Sequence, residues 1–184
     1  MAATVQETSP TRTPSGRRVT HAEDVVRSVW ARRALAGLRI VLGFTFLWAF
    51  VDKLFGFGFA TPSERAWLNG GSPTTGYLSG VEGPLAGFYN GMAGITAIDW
   101  LFMLGLLGIG VTLMTGVGAR VGALAGAAMY LFMYGASLPT VTNPFLDDHV
   151  TGAIVMIVIA TIPASWEYLG LGRGWKKFAP SYLR

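Results

Sequence analysis

Four stretches of this chain, residues 34–55, 95–117, 121–138 and 150–169, are almost free of charge, and this pattern constrains the fold more than any other feature. At about 1.5 Å per residue, about 20 residues cross the hydrocarbon core of a bilayer, and a helix satisfies its own backbone there. Each stretch is close to that length. The pattern therefore predicts an all-α integral membrane four-helix bundle. Arg39 lies about one turn inside the first stretch, which ends on Asp52-Lys53, and Asp99 lies near the start of the second. The third carries no charge and stops before Pro139. The fourth is free of charge until Glu167 and is expected to bend at Pro163.

Composition agrees with this reading. Hydrophobic residues make up 52% and charged residues 13% of the chain, against roughly a quarter charged in soluble domains. The 25 glycines suit membrane helices, where small residues let backbones approach closely. Gly118, Gly122 and Gly126 are four apart and share one helix face. The expected contact for that face is a neighbouring helix of the same chain; a second copy of the chain is the alternative.

Charge placement sets the orientation. With the N-terminus, the turn at Arg120 and the C-terminus in the cytoplasm, twelve of the fourteen Lys and Arg residues lie inside, and only Lys53 and Arg65 lie outside. The net charge of +4 is thus explained by topology, and nucleic acid is not an expected partner. Residues 1–33 read as a basic cytoplasmic tail, mostly disordered, whose end from Glu23 to Arg33 forms an amphipathic helix on anionic headgroups. Its Arg17-Arg18 pair lacks the apolar continuation of a twin-arginine signal, and the first apolar run begins too deep for an ordinary signal peptide. Residues 34–171 form the membrane domain, and 172–184 a second basic tail.

Residues 56–94 form a long extracytoplasmic loop with structure of its own. Thr61-Pro62-Ser63-Glu64 has the form of a helix start, with Thr61 as cap, and predicts a short helix through Ala66, Trp67 and Leu68 that ends at Asn69-Gly70-Gly71. Ser72 to Gly76 reads as a turn. Phe57, Phe59, Trp67, Tyr77, Phe88 and Tyr89 are expected to rest the loop on the outer headgroups, as an aromatic belt does.

The absence of cysteine removes thiolate chemistry and Cys-ligated metal centres, and two histidines do not make a multi-histidine metal site. No metal and no resident cofactor is expected. The chemistry-bearing residues cluster instead at the outer ends of the helices: Asp52 and Lys53, then Asp99, then Asp147, Asp148 and His149. A carboxylate at the membrane border must be hydrated, paired or protonated, and Lys53 is the cation nearest in sequence. His149 beside Asp148 is a residue type suited to proton transfer. Such groups facing an aromatic pocket fit a quinone, whose carbonyl oxygens need donors. Asp147 and Asp148 also read as capping residues for the fourth helix. Arg39 reads as an inner-interface anchor that snorkels, with ligand contact as the second reading. Met103, Met114, Met129, Met133 and Met156 read as lipid-facing or core fillers.

Several of these residues stand in a recognisable order. Arg39-Ile-Val-Leu-Gly43-Phe-Thr-Phe46 followed by Asp52-Lys53-Leu-Phe resembles the first helix of the DoxX family of bacterial membrane proteins. Trp67-Leu-Asn-Gly-Gly-Ser-Pro-Thr-Thr-Gly76-Tyr-Leu resembles the outer loop of its actinobacterial and DoxD-like members, as does Asn143-Pro144 through Asp148-His149 at the fourth helix. The likeness covers residues 35 to 172; Phe50 stands where many members have a small residue. The resemblance implies a four-helix bundle in the bacterial cell membrane. It also implies a place beside thiosulfate:quinone oxidoreductase subunits or membrane partners of redox-defence enzymes, with Arg39, Lys53, Asn143, Asp148, His149 and Asp52 at matching positions.

The expectation is therefore a membrane subunit of a quinone-linked oxidoreductase, with a further protein subunit. His149 and Asp148 would move protons, and Asp52, Lys53, Asp99, Asn143 and Arg39 would hold the quinone. The alternative is a non-catalytic scaffold that anchors a partner protein. A carrier of small molecules is a third reading, without a broken-helix pair or inverted repeat in its favour.

Overall fold

The computed structural model describes residues 26–141, 143 and 145–180. These residues are helical, with no strand among them. Helix α1 spans Val29–Phe55, α2 Thr75–Ser79, α3 Ala86–Asn90, α4 Thr96–Thr115, α5 Ala119–Ala136, α6 Asp148–Thr161, α7 Ala164–Glu167 and α8 Gly172–Phe178. Two of them, α1 with 27 residues and α4 with 20, are long and apolar enough to cross a membrane. Only 22% of the apolar window of α1 and 33% of that of α4 is buried inside the chain, so these are not helices wrapped by their own protein.

The four long helices pack antiparallel around one core. Phe46 of α1, Met103, Leu106, Ile109 and Leu113 of α4, Ala123 and Ala127 of α5, and Met156 and Ile159 of α6 form it, with Trp166 of α7 closing one end. The pairs in contact are α1 with α4, α4 with α5, α5 with α6, and α1 with α7. Glycine sets two of these crossings. A Cβ on Gly110 would lie 2.8 Å from the Leu47 backbone nitrogen, and one on Gly43 2.8 Å from that of Met114, so α1 and α4 touch backbone to backbone. The Gly122 and Gly126 face of α5 meets Thr112 and Ile109 of α4 and Met156 of α6, all within the same chain. Gly116 and Gly118, both at positive φ, reverse the chain between α4 and α5.

The boundaries depart from the sequence expectation in several places. Helix α1 begins at Val29, where Ser28 caps it by accepting from the Ala31 amide, so residues 29–33 extend the first long helix and not a separate surface helix. The rest of the expected tail, residues 1–25, lies outside the described residues, as do Pro144 and residues 181–184. The fourth stretch breaks instead of bending. Pro163 drives Ile162 into an extended conformation (φ −103°, ψ 105°), which ends α6 at Thr161, and the chain resumes as α7. Residues 172–178, expected as tail, form α8, tied back by Lys176 to Glu167 at 2.6 Å.

In the 56–94 segment the expected helix through Ala66–Leu68 is two single turns, Ser63–Arg65 and Trp67–Asn69, and Thr61 does not cap it. Ala66 between them is extended and fully buried, packed against Gly56 where a Cβ would be 2.9 Å away. Seating this methyl group on α1 costs the helix its continuity. The second turn does end at Gly70, in the left-handed region.

Candidate ligand site at the loop end

The antiparallel packing carries Asp52, Lys53, Asp99, Ser137, Asp147, Asp148 and His149 to one end of the molecule, the end covered by residues 56–94. The sequence expectation placed most of them in one network. The structure divides them among three arrangements.

The first is a pair of straps for the loop. Asp52 is 1% exposed and accepts from the backbone amides of Phe59 (3.4 Å) and Ala60 (3.0 Å). Asp99, in the first turn of α4, accepts at one oxygen from Ser72 Oγ (2.8 Å), Thr74 N (3.3 Å) and Thr74 Oγ1 (2.5 Å). Both carboxylates are therefore satisfied by N–H and O–H donors of the loop. The Ser72 hydroxyl also accepts from the Thr75 amide at 3.0 Å, which starts α2.

The second arrangement caps α6. Asp147 Oδ1 accepts from the amides of His149 (3.0 Å) and Val150 (3.3 Å), while Oδ2 takes Ser137 Oγ at 2.8 Å and faces His149 Nδ1 at 2.7 Å. Partial burial pushes the Asp147 carboxyl up. The hydrogen bonds from His149, Ser137 and the Val150 amide, with the charge of His149, outweigh it and hold the group below its ordinary value. His149 thus pairs with Asp147; Asp148, the first residue of α6, is exposed. Asn143, also exposed, folds its own loop: its Oδ1 accepts from the amides of Phe145 (2.9 Å) and Leu146 (3.1 Å), and its carbonyl from the Thr140 hydroxyl.

The third is a cavity of about 530 Å³ between α4 and α5 beneath the loop. Pro73, Thr74, Tyr77, Leu78 and Met92 roof it. Its walls are apolar, with Phe102 and Gly105 on one side and Ala128, Met129 and Met133 on the other. Lys53 is the one charged residue in its lining, with Nζ 6.0 Å from the centre of the Phe102 ring. Among the described residues no carboxylate forms an ion pair with Lys53. Of the seven residues expected to contact a ligand or its protons, the cavity takes in Lys53 alone. Burial first, then the neighbouring Tyr89 and Asp147, push the Tyr77 phenol up, so it remains an O–H donor at the roof.

Arg39 lies at the opposite end, fourteen residues before Lys53 in α1 and so about 21 Å away along the axis. It is fully buried and does not snorkel. Its guanidinium donates to the carbonyls of Leu113 and Met114 (3.3 Å) at the end of α4, and of Tyr168 (3.4 Å) and Leu169 (2.8 Å) after α7. It staples three segments where helix ends leave carbonyls unpaired.

Thr74, Tyr77, Phe102 and Met133 were not among the expected site residues. Thr74 had a signal: a Ser-Pro-Thr-Thr turn of hydroxyl donors in the same outer region as a carboxylate, Asp99, that must find partners. Tyr77 was read as belt. Phe57, Phe59, Tyr77 and Phe88 are exposed as a belt requires, Tyr77 also lining the cavity, but Tyr89 is buried with its hydroxyl on the Phe132 carbonyl at 2.6 Å, and Trp67 turns in against Trp100 at 4.6 Å. Among the described residues no group of three or more His, Asp or Glu forms a metal-binding cluster. Comparison with protein-family models, curated proteins and solved structures gives no match.

Proposed function

We propose that this chain is a multi-pass protein of the bacterial cytoplasmic membrane, the membrane subunit of a quinone-linked oxidoreductase system of the DoxX kind, serving sulfur-compound oxidation or redox defence. In this reading all four long helices cross the bilayer, α6 together with α7, both termini are cytoplasmic, and residues 56–94 lie outside. A further protein subunit supplies the electrons, since the sequence offers no cysteine ligand and only two histidines.

Support for the spanning helices comes from their outer faces. Val41 and Phe44 on α1, Leu101 and Leu104 on α4, Leu124 and Leu131 on α5, and Ile154 and Ile157 on α6 are all exposed. Apolar side chains on every outer face are costly in water and suited to lipid.

The observation that carries the ligand reading is the cavity at Lys53. Its size lies within the range of small-molecule sites, about 300–1,000 Å³, and its walls are apolar with few polar groups, as such sites are. The proposal assigns head-group contact to Lys53, Thr74 and Tyr77, and tail contact to Gly105, Ala128 and Met129. The test is a titration of the full-length chain in nanodiscs with a short-tailed quinone, read by tryptophan quenching and thermal shift. Saturable binding that Lys53→Met weakens supports the reading. No binding, with a stably co-purifying protein, points to the scaffold alternative.

A further inference from the structure

The charged residue that lines the cavity has no direct ion-pair partner among the described residues, although the Asp52 charge still acts on it from a distance. Lys53 lines the cavity, and the carboxylate beside it in sequence, Asp52, is turned away onto the amides of Phe59 and Ala60. Asp99, whose partner Thr74 is in the roof, spends its bonded oxygen on Ser72 and Thr74. Asp147 is occupied by Ser137, His149 and Val150. Three carboxylates of this end are thus committed to loop or cap donors, and none is within 4 Å of Lys53 among the described residues.

A cation held against apolar walls without an ion-pair partner is strongly stabilised by an anion that enters beside it, because attraction rises as water is excluded. A neutral head leaves that cation with only the more distant Asp52 charge and no ion pair. We infer that the cavity selects amphiphiles with one negative charge on a head-group oxygen next to an apolar tail, Lys53 being the counter-charge. This rests on the cavity being the quinone site proposed above, and it narrows the class to quinones with an ionised ring hydroxyl. A fatty acid shares the same chemistry.

The source is separated by three probes with one tail length: a 2-hydroxy-3-alkyl-1,4-naphthoquinone, ionised at neutral pH; its 2-methoxy ether, the same ring without charge; and the fatty acid. The full-length chain in neutral-lipid nanodiscs is titrated with each. The expected result is that the hydroxyquinone binds at least tenfold more tightly than its ether. That preference should disappear in Lys53→Met and persist in Lys53→Arg, which keeps the charge and guards against a folding defect. Equal affinity for hydroxyquinone and ether overturns charge selection while the quinone site stands. Fatty acid binding without hydroxyquinone binding upholds the charge and overturns the quinone reading. If no probe binds, both fall.

Discussion

The guanidinium of Arg39 and the carbonyl of Leu169, 130 residues apart in sequence, meet at 2.8 Å. Leu169 is the one non-glycine residue at positive φ (50°) among the described residues, a conformation that costs about 1–3 kcal/mol and persists only where its surroundings impose it. Arg39 is part of what imposes it, while the same side chain closes the carbonyl end of α4.

Arg39→Met is therefore expected to destabilise the protein by about 3 kcal/mol or more, since charge-assisted hydrogen bonds contribute roughly 1.5–3 kcal/mol each. Arg39→Lys should recover little of this, because one ammonium does not reach two separated pairs of carbonyls. Ligand affinity of the folded fraction should not change, the cavity being at the other end. Thermal denaturation beside quinone titration checks both statements, and a loss of affinity without a loss of stability would contradict them.

Asp99→Ala removes three hydrogen bonds that hold the Ser72–Thr75 turn over the cavity. The expected outcome is local: faster amide hydrogen exchange and proteolysis at residues 72–79, by a free energy of about 1.5–3 kcal/mol, with the four-helix core unchanged. Exchange measured by mass spectrometry distinguishes this from global unfolding.

Asp147 supplies an acid-side dependence whose sign is fixed by its lowered pKa. Its contribution is complete above the ordinary carboxylate value and is lost as pH falls through the lower value of the folded state. Asp147→Asn should flatten the stability curve in that acidic window relative to the parent chain. Asp147→Ala should cost about 1 kcal/mol near neutrality through loss of the cap on α6. A parallel pair of pH–Tm curves for parent and Asp147→Asn would refute the assignment.

Gly110→Leu places a side chain where even a Cβ meets the Leu47 backbone. Helices α1 and α4 must separate, at a cost of at least about 1–3 kcal/mol. Gly108→Ala, two residues earlier and facing open space, is the control and should leave Tm nearly unchanged or slightly raised.

The chain contains no cysteine, so single-cysteine variants report topology cleanly. Glu82→Cys should react in intact cells with a membrane-impermeant maleimide, and Lys177→Cys only after permeabilisation. Equal labelling of both would contradict the proposed orientation.

Much of the helical plan was readable in advance because it follows from length and apolarity. The inward face of Gly122 and Gly126 follows from spacing alone, whereas the turn expected at Arg120 lies at Gly116–Gly118, with Arg120 already in α5. The break at Pro163 was foreseen as a bend, since the missing donor is legible but the extended conformation it forces on Ile162 depends on where the chain goes next. The site was legible only as a location. Sequence shows that Asp52, Lys53, Asp99 and His149 reach the same end. It does not show that hydroxyls and amides of the loop would take up the carboxylates before Lys53 did. Arg39 was misplaced for a similar reason: one turn inside a span reads as snorkelling, whereas four carbonyls from distant segments converge on it.

The two straps have a mechanical consequence. Asp52 belongs to α1 and holds the loop at Phe59 and Ala60, whereas Asp99 belongs to α4 and holds it at Ser72 and Thr74, so the loop is fastened to two different helices and its roofing part to α4. Those helices are locked backbone to backbone farther along, at Gly43 and Gly110, which leaves a fulcrum below and a hinge-bound canopy above. Spreading the upper ends of α1 and α4 would therefore pull the two fastenings of the loop, at Ala60 and at Thr74, apart.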